Sequence, residues 1–205
     1  MTTDECLWQS ASNILRAQDN LNLLFDAFDA VECDSERLKI ELEDADKSDG
    51  DFIQAEWNAY YSVKTKTALA KGWQSGWLTL AIQLTCNESL EARWDHGKRA
   101  KVLVGYVPLK KSDEAWGFDA DGPNSAGYRD KCVMRELYWQ LIEDNGRLSW
   151  FYALPLDLMT STQAVKKLIV DPVHSVLRSE TPQDPSIVLA KIKDKLCCPP
   201  PMASK

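Results

Sequence analysis

The chain has 205 residues, enough for one domain or a domain with an appendage, and enough to bury a core. Hydrophobic residues make up 44% and charged residues 27%, the balance of an ordinary globular protein rather than a disordered one. The net charge of −7 weighs against generic affinity for nucleic acid or anionic membranes, since both reward Lys and Arg.

That charge is unevenly placed. Residues 1–61 hold 15 acidic and 4 basic side chains, a net of −11, whereas residues 62–205 hold 16 and 20, a net of +4. The opening Met1-Thr2-Thr3-Asp4-Glu5 carries neither the basic nor the apolar region of a secretory signal. Strongly apolar runs stay under 10 residues, too short to span a bilayer. Cys6, Cys33, Cys86, Cys132, Cys197 and Cys198 form no C-x-x-C pair and are expected to be reduced. A cytoplasmic protein without a membrane span is the expectation.

In chain order the first feature is a heptad. Placing Leu7, Ile14, Leu21, Phe28, Ser35 and Leu42 at position a puts Ser10, Ala17, Leu24, Val31, Leu38 and Ala45 at position d, so that ten of twelve are apolar. No Pro or Gly interrupts residues 1–49, and a period of 3.5 residues is the coiled-coil pattern. Asp4 is a fitting N-cap. Gly50, in Ser48-Asp49-Gly50-Asp51, can end this helix in a turn. A second helix is then expected from Asp51 to Lys71, with Trp57, Tyr60 and Tyr61 as an aromatic ridge. The two helices would form an unequal hairpin, the first on the order of 60 Å long and the second about half that, so part of the first seam needs another partner.

From Gly72 the period changes to two. Leu78, Leu80, Ile82 and Leu84 mark a half-buried strand, and residues 101–107 a second strand apolar on both faces. Residues 87–99 read as a polar connection and 110–127 as a long loop, with Trp116 expected at its surface. Residues 131–143 fit either a short helix or a strand. After Asn145-Gly146, a hairpin signal, residues 148–158 alternate as another strand with Trp150 facing the core. Ser161 caps a helix to about Val170 that Pro172 is expected to break, with a resumption to Arg178 left open, and Asp184-Pro185 starts a last helix to about Leu196. The architecture predicted is α+β: an acidic helical hairpin arm over 1–71, an antiparallel sheet with C-terminal helices over 72–198, and a tail over 199–205.

Chemical motifs are few. There is no phosphate-binding glycine loop. Ser75, in Gly72-Trp73-Gln74-Ser75-Gly76, lacks the flanking glycines of a nucleophile elbow and reads as a turn. The two histidines, His96 and His174, read as structural or solvated. Adjacent Cys197 and Cys198 are poor geometry for one tetrahedral zinc and read as a tail pair without structural duty. Asp119-Ala120-Asp121-Gly122-Pro123-Asn124 departs from the calcium-loop pattern at its glycine and at position 12, which is Asp130. Neither a metal nor a cofactor is expected. Arg93, His96, Lys98, Arg99 and Lys101 beside Trp94 and Tyr106 could track a single strand of nucleic acid, but equally keep a hairpin rim solvated.

The sequence therefore points to a non-enzymatic, adaptor-type protein. It would self-associate as a homodimer, or bind a protein partner, through its acidic N-terminal helix. Leu21, Leu24, Phe28, Val31, Trp57, Tyr61 and Trp116 are the expected contact residues, with aromatic anchors as in other interfaces. The helix folding back on its own domain is the plainer alternative. Two others are an enzyme with a site gathered from Asp119, Asp121, His96 and Arg99 beside the sheet, and an acidic nucleic-acid mimic using the carboxylates of residues 19–51.

Overall fold

The structure, a computed structural model, describes residues 3–46, 56–65, 75–84, 100–109, 115–118, 132–141, 149–178 and 184–197. One long helix, α1 (Thr3–Ala27), leads through a single 3-10 turn (Phe28–Val31) into an eight-stranded antiparallel sheet. The strands are β1 (Cys33–Asp34), β2 (Leu38–Asp46), β3 (Glu56–Thr65), β4 (Gly76–Gln83), β5 (Lys101–Pro108), β6 (Cys132–Met134), β7 (Trp139–Leu141) and β8 (Trp150–Pro155). Their order in the sheet is β1-β2-β3-β4-β5-β8-β7-β6. The α+β expectation holds, with one long helix and no helical hairpin.

The heptad fails as a helix beyond Val31. Leu38, Leu42 and Ala45 lie on β2, where Leu38-Lys39-Ile40-Glu41 alternates with period two and Leu38 and Ile40 are buried. Apolar residues four apart satisfy both periods, so the spacing of Leu38 and Leu42 does not discriminate. A tight turn joins β1 to β2: Ser35 N–H donates to the Leu38 carbonyl at 2.9 Å, and Ser35 Oγ accepts from Leu38 N–H at 3.1 Å. The expected second helix is replaced over its central part by β3, in which Trp57, Ala59, Tyr61 and Val63 point one way. Trp57 and Tyr61 are therefore core, and Tyr60 projects from the opposite face. The turn at Gly50 lies outside the described residues.

Cross-strand rows run across the centre of the sheet. Tyr61, Leu78, Tyr106 and Trp150 form one, Ala59, Leu80, Val104 and Tyr152 the next, and Trp57, Ile82, Val102 and Leu154 a third. Helices cover this face: α2 (Thr162–Val165), a π-helical turn (Lys166–Val170), α3 (Asp171–Leu177) and α4 (Pro185–Leu189), together with the end of α1. The caps act as expected, Ser161 Oγ accepting from Ala164 N–H at 3.2 Å and Asp184 Oδ1 from Ser186 N–H at 2.9 Å. Pro172 does not break the helix. It enters after the widened π turn, and the Leu168 carbonyl, four residues back and denied a proline N–H, accepts from the Tyr152 hydroxyl at 3.2 Å.

The other face is covered as well. Trp116, Phe118, Cys132, Trp139, Phe151 and Cys197 pack there with Leu103 and Val107. Trp116 is thus buried rather than exposed, and its Nε1–H donates to the Tyr106 carbonyl at 2.9 Å. Residues 132–134 and 139–141 are strands, which settles the choice left open by the sequence. Cys197 has a structural duty after all: it is buried, and its N–H donates to the Ala153 carbonyl at 2.8 Å. Gly105 makes this layer possible, since a Cβ there would come within 2.6 Å of Trp116 Cδ1 and 2.9 Å of Phe118 Cζ. Gly105→Ala is expected to displace Trp116 and to cost about 1–3 kcal/mol of stability. Urea unfolding with an unchanged midpoint would show that the two rings have room to retreat.

Candidate interaction surface

The two ends of α1 have different surroundings. Its last turns are anchored by aromatics: the Phe25 and Phe28 ring centroids are 5.8 Å apart, and Phe25 meets Trp57 edge-on at 5.7 Å. Leu21, Phe25, Phe28 and Val31 are buried against the sheet and helices, with Leu24 half-buried beside them. Six of the seven residues expected to meet a partner (Leu21, Phe28, Val31, Trp57, Tyr61 and Trp116) are therefore packed inside their own chain. The seventh, Leu24, borders that core.

The first half of α1 is different. Leu7, Trp8, Ile14 and Leu15 are 65%, 69%, 48% and 58% exposed. They are not scattered. Residues 7, 11, 14, 18, 21, 25 and 28 recur at alternating intervals of four and three, so Leu7, Ala11, Ile14 and Gln18 continue the stripe that Leu21, Phe25 and Phe28 bury. Trp8 and Leu15 widen it on one flank. The buried edge thus follows heptad positions a and e, and the d positions Ser10 and Ala17 are exposed. Between Cys6 and Leu15 no side chain carries a charge. Leu23, Leu42, Leu109 and Ile187 are also exposed, but singly, as on any protein surface.

This surface was legible only in part. The heptad's a positions lie on the stripe but its d positions Ser10 and Ala17 do not, and six of the residues expected to meet a partner are buried within their own chain. The signal that marks the buried end is the Phe25–Phe28 pair, whose rings meet each other and, for Phe25, Trp57.

The remaining chemistry is sparse. Asp119, Asp121, His96 and Arg99 lie outside the described residues, as do Arg93, Trp94 and Lys98. Among the described residues no group of three His, Cys, Asp or Glu side chains could hold a metal ion, and no helix is long and apolar enough to cross a membrane. Ser75 stands at the start of β4, its carbonyl accepting from Leu109 N–H at 2.9 Å. The carboxylates of Glu43, Asp44 and Asp46 project from the exposed end of β2, where charge guards a sheet margin against pairing. Nearer the helix, Glu32 Oε1 accepts from Leu42 N–H at 2.9 Å. No family model, curated protein or solved structure matches the chain.

His174, on α3, fastens the root of the arm. Its Nε2 lies 2.7 Å from the Val31 carbonyl, which requires the Nε2–H tautomer as donor. Burial lowers its pKa below the ordinary histidine value; the Val31 bond and Asp171 oppose this, and Arg178 reinforces it. The unfolded chain consequently binds a proton more readily than the folded one. Stability conferred at this joint is present above about pH 6.5, the unfolded value, and is lost as pH falls toward the lower folded value. The thermal midpoint should therefore drop between pH 7.5 and 5.5, and His174→Gln should flatten that drop. Equal pH dependence in the variant would remove His174 from the account.

Proposed function

We propose that the protein is a non-enzymatic, adaptor-type interaction protein whose docking element is the exposed first half of α1, residues 3–18. One observation carries the reading: four large apolar side chains stand in a single stripe, outside the core but continuous with it. Contiguous apolar surface, unlike an isolated exposed leucine, marks contact sites. A helix presenting residues at intervals of three and four is recognised by another helix or by an apolar groove. The rigid attachment at Phe25, Phe28 and Val31 favours this, because an arm already fixed in direction loses little freedom on binding.

Full burial of a Leu or Ile side chain is worth roughly 1.5–3 kcal/mol. Replacing Leu7 and Ile14 together by Asp should weaken association on the order of 100-fold or more. Both side chains are exposed in the isolated chain, so the urea midpoint should stay where it was. Phe28→Asp, by contrast, should unfold the chain, because Phe28 has no exposed surface. A photoreactive residue at position 15 tests the docking role in cells producing the protein. Adducts are expected there, not at the exposed control position Lys191, and should vanish in the Leu7→Asp/Ile14→Asp variant. Equal labelling at both positions, or none at 15, would refute a docking role for the arm.

A further inference from the structure

The exposed stripe has an internal symmetry. On a helix advancing 100° and about 1.5 Å per residue, Ala11 lies at its centre. Leu7 and Trp8 precede Ala11, Ile14 and Leu15 follow it, and each pair straddles its direction. Leu7 and Ile14 share one flank at nearly equal distances either side of Ala11, and Trp8 and Leu15 share the other. A twofold axis across the helix at Ala11 therefore sets Leu7 of one arm against Ile14 of a second, and Trp8 against Leu15. The smallest apolar side chain falls where the two backbones approach. Such a patch is complementary to itself, the requirement for a closed dimer.

Resting on the docking role proposed above, we infer that the partner of this arm is a second copy of the chain, bound antiparallel about Ala11. Two further features select the antiparallel direction. Asp4 occupies the first position of the stripe and half-buried Gln18 the last before the core begins at Leu21. A parallel pair would stack Asp4 on its own copy at two helix N-termini, like charge against like. An antiparallel pair sets Asp4 against the neutral amide of Gln18 and aligns the helix dipoles favourably. Arg16 and Glu5 lie about 120–140° round the helix from Ala11, on the side turned away from the second arm, so the contact itself is apolar.

The length of the arm agrees. Residues 3–18 extend roughly 24 Å, and buried packing begins at Leu21. In the antiparallel register Asp4 of each arm lies opposite Gln18 of the other, one turn short of Leu21, and the two sheet domains lie at opposite ends. A parallel pair would bring both domains to the same end. Each arm contributes only four large side chains, which places the interface at the small end of specific contacts and the association in the micromolar range.

Cysteine cross-linking of the full chain at tens of micromolar, with disulfides mapped by peptide mass, reads the register directly. Ala11→Cys should form an 11–11 disulfide dimer under mild oxidation, and Asp4→Cys should not pair with its own copy. Sedimentation should show a dimer that Ile14→Asp weakens at least roughly tenfold. A 4–4 disulfide would establish parallel pairing and overturn the inference. So would a strictly monomeric chain without the 11–11 bond. In that case adducts at position 15 to a different protein would leave the docking role standing, and their absence would remove both.

Discussion

Phe28 and Val31 have no exposed surface, and they lie where α1 stops being a helix and the chain turns into the sheet. Around them Phe25 contacts Trp57 of β3, and His174 of α3 holds the Val31 carbonyl. One joint therefore ties the long helix, the sheet and the C-terminal helices together. The direction of α1 is set by aromatic packing rather than by a loop, and everything N-terminal to Leu21 projects as a consequence. An apolar stripe attached in this way stays presented, because bending it back would require the aromatic contacts at its root to part.

The sheet supports that joint by being covered on both faces. Buried strands of this kind show little alternation, as in Val102-Leu103-Val104, because neither face meets water. The second layer depends on close approach: Gly105 lets the Trp116 and Phe118 rings lie on the backbone, and both meet Phe151 edge-on at 5.1 and 5.5 Å. Burial this complete has a cost. Trp57 Nε1, Trp150 Nε1 and the Tyr61 hydroxyl are buried on the helix-covered face without hydrogen-bond partners among the described residues. The large apolar area of the same rings offsets it.

Much of the second half of the fold is readable from residues alone. Ser161 and Asp184 cap helices because a side-chain oxygen can take the otherwise unpaired N–H groups of a first turn. The alternation of residues 78–84 fixes β4. The first half misleads because the same residues satisfy two periods. Leu38, Leu42 and Ala45 extend a heptad, yet Leu38-Lys39-Ile40-Glu41-Leu42 is also strict alternation, and cross-strand pairing with β3 decides between them. Trp57 and Tyr61 are four apart, as on a helix face, but Ala59 and Val63 complete a period of two that marks β3. Pairing between segments distant in sequence is what local periodicity cannot see. Trp116 illustrates the same point: its polar neighbours suggest a surface loop, and only Gly105, eleven residues earlier, makes room for its ring.

The two ends of the arm differ in what their aromatics meet. Toward its C-terminal end, Phe25 and Phe28 fill the core, where Phe25 packs edge-on against Trp57. Toward the N-terminal end, Leu7, Ala11 and Ile14 continue the stripe but offer too little area to fold back onto a domain that lies at the other end of the helix. Small residues at Ser10 and Ala11 would instead permit close backbone approach by another helix. A stripe of Phe throughout would aggregate, and one of Ser throughout would bind nothing. On the docking role proposed above, the intermediate composition suits reversible association, while the stability of the domain rests on the other half of the helix.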